Sequence, residues 1–331
     1  MNSKDVNQIF EQFSRMRVLV IGDAMLDTYL WGKVERLSPE APVPIVSVTR
    51  RENRLGGAAN VSRNIQALGA TPILFSVVGD DDNGKEFESL LLKRELSNKG
   101  IFVDTSRSTT VKNRIISSGK QIVRVDEEST SYISKEMEQK LISAILQEIE
   151  ENKIDVIVFV DYDKGIITPN LFETVNKAAI EKNIPTAVDP KRRNFWNYKN
   201  VSLFKPNFKE FVEGIGQPIA KDDLETIKMH ADSFKQQQNL KLIFITLSEL
   251  GVFISNGVKE QYYPVVIRDI ADVSGAGDTV IGVASLAMAA GLSPKVMALM
   301  SNLAGGLVCE KVGVVPVDSE QLRKEMKSAK Y

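Results

Sequence analysis

The sequence predicts an α/β protein: a mostly parallel sheet covered by helices on both faces, with a small β-strand lid. Near-continuous apolar runs alternate with stretches of helical period, as expected of strands buried on both faces of a parallel sheet. Residues 27–53 and 101–127 break that rhythm. They are rich in Val, Ile, Thr and charge, alternate roughly and lack a helical period, which suits half-exposed strands. The 331 residues allow, at about 150 per domain, two small domains or one large one. No internal repeat or low-complexity linker divides them, so we read residues 1–331 as one domain carrying a lid.

Residues 17–23 (RVLVIGD) form a short apolar run ending in turn residues, a buried strand. Residues 57–68 have helical spacing and stop at Gly69. Residues 71–79 read as a strand and 83–96 as a helix with apolar Phe87, Leu90, Leu91 and Leu92. Residues 136–150 are helical, with Leu141, Ile142, Ile145, Leu146 and Ile149 on one side. A mostly apolar strand over 154–160 precedes a helix near 169–182. Strands follow at 186–189, 201–204 and 242–247, with helices at about 207–214 and 221–237 between them. The tail is helical over 278–290, 294–310 and 319–327.

Composition removes several function classes. With 42 Lys+Arg against 43 Asp+Glu, the net charge of −1 gives no global pull toward nucleic acid or an anionic membrane. A 43% hydrophobic and 26% charged chain is not a disordered one. Cys309 alone cannot form an internal disulfide, and its apolar run suggests a buried, inert thiol. One His rules out an HExxH zinc site. A Ser-His-Asp triad would have to use His230, which sits in a polar stretch expected to be solvated helix surface. Proton transfer therefore falls to a carboxylate or a lysine. The first sixteen residues lack the apolar core of a signal peptide, and 280–292 is too short to span a bilayer, so a cytoplasmic location is expected.

The sharpest local signal is Asp272-Val273-Ser274-Gly275-Ala276-Gly277-Asp278-Thr279, leading into an apolar helix. Small residues let the backbone approach a ligand closely. The first N–H groups of a helix lack internal partners, and with the helix dipole they suit a phosphate. Asp278 would place a carboxylate beside that phosphate, which makes sense for a base taking a proton from an attacking hydroxyl. An Asp N-cap after a glycine turn is the other reading, and on this octapeptide alone the two balance. It is neither a Walker A motif nor a full GxGxxG. A second Gly-rich helix start, Gly56-Gly57-Ala58-Ala59-Asn60, is weak alone. Asp23 and Asp27 follow the first strand, where open α/β sheets bind ligands; Asp27 suits sugar hydroxyls and Asp23 suits turn amides. Further strand ends carry Asp161-Tyr162-Asp163-Lys164-Gly165, Asp189-Pro190-Lys191 and Lys205-Pro206-Asn207-Phe208-Lys209-Glu210. Lys164, Lys191 and Lys205 would offer charge to a polyphosphate, and Asn207 with Glu210 would hold a hydrated Mg²⁺. Each alone reads as a capping or solvated residue; their convergence on one sheet edge is the argument.

Together these segments resemble the ribokinase/PfkB family of sugar kinases. Gly56-Gly57-x-x-Asn60 and Gly275-Ala276-Gly277-Asp278 look like its two signatures, and Asn207-x-x-Glu210 like its metal-and-phosphate motif. The resemblance runs from about residue 15 onward. Arg36-Leu37-Ser38-Pro39-Glu40-Ala41-Pro42-Val43-Pro44, Asp161-Tyr162-x-Lys164-Gly165, Asp189-Pro190-Lys191 and Thr246-Leu247-Ser248-Glu249-x-Gly251 are similar to the branch of that family that phosphorylates heptose 7-phosphate. Leu247 stands where an Arg is expected in that branch. The resemblance implies a three-layer α/β/α ribokinase-like sandwich whose lid often pairs two subunits. It also implies transfer of the γ-phosphoryl of ATP to the anomeric hydroxyl, in ADP-heptose and lipopolysaccharide-core synthesis. Asp278 would be the base, and the amides of Gly275, Ala276 and Gly277 would stabilise the transferred group. Lys205, Asn207, Phe208, Lys209 and Glu210 would order Mg²⁺ and phosphates, with Ser248, Glu249 and Gly251 near the nucleotide. Asp27, Gly56, Gly57 and Asn60 would hold the sugar, and Asp272 would join a monovalent-cation site such as one for K⁺. Lys112, Arg114 and Arg124, in the second lid stretch, would take the substrate phosphate with Lys164 and Lys191; edge-strand charges that deter aggregation are the other reading. Some relatives carry a second, adenylyltransferase half with an HxGH motif. A chain with one His cannot contain it, so that activity is expected to be absent or on a separate polypeptide.

Other readings remain open. Another PfkB kinase, acting on fructose phosphate, ribose or a nucleoside, fits less well around 38–44. A non-catalytic sugar-phosphate sensor would not need a carboxylate facing phosphate. A Rossmann dehydrogenase would need an early GxGxxG with a downstream acid, which is missing.

Overall fold

In β1 (Arg17–Gly22), Val18 and Val20 join one apolar cluster while Leu19 and Ile21 join another. A pleated strand sends neighbours to opposite faces, so each face of the sheet needs its own helical cover. The structure, a computed structural model, describes residues 3–257, 260–264 and 268–329. One face carries α1 (Ser3–Phe13), α2 (Ala58–Ala67), α3 (Asp82–Lys93), α8 (Ala276–Ala289), α9 (Pro294–Cys309) and α10 (Ser319–Ser328). The other carries α4 (Lys135–Glu151), α5 (Pro169–Glu181), α6 (Phe208–Ile215) and α7 (Leu224–Gln237). The result is the expected three-layer α/β/α arrangement. Burying each Val, Leu, Ile or Phe of these clusters contributes roughly 1.5–3 kcal/mol before chain entropy is counted.

The helices begin where capping residues stand. Ser134 accepts from the Met137 amide at 3.1 Å, and Thr168, followed by Pro169, accepts from the Leu171 amide at 3.0 Å.

The central sheet runs β13-β12-β11-β10-β9-β8-β1-β4-β5. Its remaining strands are β4 (Thr71–Gly79), β5 (Ile101–Asp104), β8 (Val156–Val160), β9 (Thr186–Asp189), β10 (Leu203–Phe204), β11 (Leu242–Thr246), β12 (Val252–Ser255) and β13 (Glu260–Tyr263). Every pairing from β11 to β5 is parallel, so these strands end on one edge of the sheet. The antiparallel β12 and β13 were not expected: Gly251, with φ of 103°, reverses the chain and lays β12 back along β11.

A second sheet, β3-β2-β6-β7, stands off the body as the lid. It comprises β2 (Ala24–Leu37), β3 (Pro44–Gly57), β6 (Val111–Ser117) and β7 (Lys120–Glu127). The second lid stretch is shorter than expected, because residues 101–104 pair with β4 in the central sheet. The first is longer: β2 starts at Ala24 and β3 runs through Gly57, so the lid grows directly out of the site.

Two single residues differ from expectation. His230 is half-buried on α7 rather than fully solvated, and Cys309 is half-buried at the end of α9. The polar N-terminal stretch forms α1, which buries Ile9, Phe10 and Phe13. Among the described residues no helix is long and apolar enough to cross a membrane.

Candidate active site

The parallel strands deliver their C-terminal residues to one edge, and α8 starts there. Asp278 is the third residue of α8 and is 2% exposed. It does not cap the helix: Gly275 holds the cap position in a left-handed conformation, with φ of 80°. The Asp278 carboxylate instead accepts from Asn60 Nδ2 and from the Tyr162 hydroxyl, both at 2.8 Å. These contacts join α2 and the loop after β8 to α8. A Cβ at position 275 would press on the Asn60 amide, so glycine is what lets Asn60 reach the carboxylate. Burial raises the Asp278 pKa to about 6 against the opposing pull of the two hydrogen bonds. Such a carboxylate can take a proton near neutrality.

Of the three expected amides at this helix start, Ala276 N–H is turned to the Val273 carbonyl at 3.3 Å. Among the described residues the Gly275, Gly277 and Asp278 N–H groups have no backbone partner, so the open amides at this helix start differ by one residue from those expected. Asn64 extends the polar ladder behind it, its Oδ1 accepting from Thr279 Oγ1 and from the Val317 amide at 3.0 Å each.

Tyr162 stands in the strand-end segment 161–165, but the sequence alone gives it no role. Its hydroxyl meets Asp278, and its ring lies 4.9 Å from both the Lys112 and Lys191 ammonium nitrogens. Burial, then the Asp278 charge, raises its pKa well above the ordinary tyrosine value, so it remains a hydrogen-bond donor. Asp23 fixes the loop that carries it, as turn amides required. Its carboxylate accepts from the amides of Tyr162 (2.7 Å), Lys164 (3.0 Å) and Ile166 (3.1 Å). Asp161 underlies the same loop, bonded to Tyr198 Oη, Asn194 Nδ2 and the Asp163 amide. The signal available in the sequence was a strand end with Tyr between two acids.

The lid supplies the opposite wall. Asp27 and Arg114 form a buried ion pair, and Asp27 faces Lys112 across the β2–β6 register. A Cβ at Gly56 would collide with the Asp27 carboxylate, and one at Gly57, whose φ is 57°, with the Asp23 carbonyl. The two glycines therefore let α2 begin against the root of the lid. Burial is the largest influence on Lys112 and lowers its pKa. Arg124 lies on the edge strand β7, half-exposed and paired with Asp126 at 2.8 Å, which fits the aggregation-deterring reading.

The expected free lysines are paired. Lys164 meets Glu128 at 2.7 Å, buried Lys205 meets Asp189 at 3.1 Å, and Lys191 meets Glu210. Asn207 and Glu210 form a capping box on α6, with the Glu210 amide on Asn207 Oδ1 and the Asn207 amide on Glu210 Oε2, both 2.8 Å. Phe208 packs on the apolar core, and Lys209 is exposed near Glu213 at 3.8 Å. Asn207 bridges Thr246, which sets Ser248, Glu249 and Gly251 beside the start of α6; Glu249 pairs with Lys221 at 2.7 Å. Leu247 is fully buried. Asp272 accepts from the Ser274 and Gly313 amides at 2.9 Å each. Tyr29, also missed, accepts from the Val314 amide at 2.9 Å, two residues beyond Asp27 on the same strand face.

The fold is ribokinase-like. Phosphofructokinase-2 from Escherichia coli, solved in complex with substrates and products, matches 95% of this chain and 98% of its own, with a TM-score of 0.78 at 18% identity. Arabidopsis thaliana ribokinase, complexed with ribose and ATP, matches 93% and 98%, with a TM-score of 0.71 at 16% identity. Residues 15–321 match the pfkB family of carbohydrate kinases, and the chain belongs to that family. It is a sugar kinase, transferring a phosphoryl group to a hydroxyl. Among its relatives are the proteins named "Bifunctional protein HldE" of Pelobacter propionicus, 40% identical over 96% of this chain, and of Geotalea uraniireducens, 38% identical over 98%. The chain spans 64% and 66% of their lengths.

Proposed function

We propose that this kinase transfers the γ-phosphoryl of ATP to the anomeric hydroxyl of D-glycero-D-manno-heptose 7-phosphate. The observation that carries the reading is Asp278, buried beside the unpartnered amides at the start of α8. The sugar O–H gives its proton to Asp278, its oxygen bonds the γ-phosphorus, and the bond to the bridging oxygen breaks, leaving ADP and the 1,7-bisphosphate. The amides of Gly275, Gly277 and Asp278 face the charge on the transferred group. Asn60 and Tyr162 hold the carboxylate toward the acceptor. Asp27 and Gly56–Gly57 frame the sugar, and Lys112 and Arg114 take its phosphate. Ser248, Glu249 and Gly251 border the nucleotide.

Among the described residues no cluster of three or more acidic, His or Cys side chains could cage a metal. Glu210 and Asn207, at the start of α6, would hold a hydrated Mg²⁺ together with nucleotide phosphates. The ion would neutralise phosphate charge there. Asp272 would serve a K⁺ site. The heptose assignment rests on the lid and strand-end segments similar to that branch, and on relatives named as bifunctional. Exposed apolar residues at the far end of the lid, among them Leu37, Val43 and Val48, support pairing of two copies through it.

Incubation with Mg-ATP and a panel of sugar phosphates tests the reading: heptose 7-phosphate should give the highest kcat/KM. Faster turnover of fructose phosphate, ribose or a nucleoside would replace it with the second kinase reading. The pH profile tests the base. Because the Asp278 pKa is raised to about 6, kcat/KM should fall roughly tenfold per unit below that pH. Tyr162→Phe removes a donor to the carboxylate, so the limb should move to higher pH. A limb that stays in place in this variant would separate Tyr162 from the base.

A further inference from the structure

Residues of α2, β3, the C-terminal end of α3 and the 312–315 loop line a cavity of about 180 Å³ whose walls include neither Asp278 nor Tyr162. Three guanidinium groups line it, those of Arg54, Arg63 and Arg94, with one carboxylate, Glu52. Glu52 is already engaged: Arg54 Nε donates to it at 2.7 Å, and Arg50 approaches at 3.9 Å. Arg54 Nη1 also donates to the Val312 and Val314 carbonyls, at 3.0 and 3.3 Å. Arg63 is half-buried on α2, and among the described residues no carboxylate pairs with it. Burial, then the charges of Arg94 and Arg54, lowers its pKa to about 10, which still leaves it charged at neutral pH. Among the described residues the wall thus carries three guanidinium groups, that of Arg94 exposed, against the single carboxylate of Glu52, an excess of positive charge. A guanidinium presents parallel N–H donors that match a phosphate edge. The volume is below the roughly 300–1,000 Å³ of pockets that enclose drug-sized molecules, and a small tetrahedral oxyanion suits it.

We propose that this cavity binds inorganic phosphate, at a site separate from those for nucleotide and sugar. The anion would sit between Arg63 and Arg94 and draw Arg54 toward it. Arg54 grips the loop whose Gly313 amide is bonded to Asp272 and whose Val314 amide is bonded to Tyr29. Phosphate bound here would brace the loop on which the start of α8 leans.

Equilibrium dialysis with labelled inorganic phosphate, and thermal melts in phosphate against chloride of equal ionic strength, test this on the full chain. Wild-type protein should bind phosphate saturably and melt at a higher temperature in it. Arg63→Gln and Arg94→Gln should each weaken binding by about tenfold or more and erase the melting increment. In chloride, Arg63→Gln should melt no lower than wild type, since it removes an unpaired charge, and this shows that the fold is intact. Lys112→Gln, at the lid site, should leave phosphate binding unchanged. The proposal is overturned if wild type shows no saturable binding at tens of millimolar phosphate, if Arg63→Gln binds as wild type does, or if Lys112→Gln abolishes binding.

Discussion

Asp278→Asn is expected to lower kcat by about 10²–10⁴-fold while ATP still binds, because an amide cannot take the acceptor proton. The loss should fall on kcat with little change in KM for ATP, since the carboxylate acts on the sugar hydroxyl. The fold should survive. A carboxylate whose pKa rises on folding from 3.8 to about 6 opposes folding above that pH and not below 3.8. Asn removes that opposition at pH 7, though it can no longer accept from both Asn60 and Tyr162 with two oxygens. Turnover by rapid quench, nucleotide binding by calorimetry and a thermal melt read the three quantities. Turnover close to wild type in the folded variant would remove Asp278 as the base.

Arg114→Ala is expected to act twice. The sequence alone assigns Arg114 to the substrate phosphate and predicts a rise in KM for the sugar phosphate with ATP unaffected. In the fold Arg114 is 8% exposed and pairs with Asp27. Removing one member of a buried pair leaves the other short of a counter-charge and costs about 3 kcal/mol or more. Lys112, opposite Asp27, and the polar groups around it hold the figure toward the lower end. The variant should therefore melt several degrees lower and also bind the sugar phosphate poorly. A double-mutant cycle with Asp27→Asn separates the effects: the stability losses should be strongly non-additive. Additive losses would mean that the pair contributes little to the fold.

The parallel core was legible where its strands are apolar on both faces and so read as unbroken runs, as 156–160 and 242–246 do. β12, an antiparallel return, carries a run of only three apolar residues, Val252, Phe253 and Ile254, too short to announce a strand, and β5, four residues with an exposed Val103, resembles the lid strands near it in sequence. In the site, the backbone features were readable, since glycines and a helix start announce themselves locally. The pairing of side chains was not. Lys205 and Asp189 are sixteen residues apart, and Tyr162 and Asp278 are separated by 116; whether a lysine is free or already neutralised depends on contacts that only folding creates. Ala276 is a smaller case, because which amides stay open depends on how tightly one turn closes.

The 312–315 segment has a mechanical consequence. It is stapled to Arg54 and Tyr29 at the foot of the flap and to Asp272 just ahead of α8. The flap is therefore clamped where it leaves the body and cannot swing as a door on that edge. Bending is left to its distal ribbon, where β2 and β3 slip register between Trp31 and Gly32 and again between Val34 and Arg36. Substrate would be admitted by a curling tip over a stationary sill.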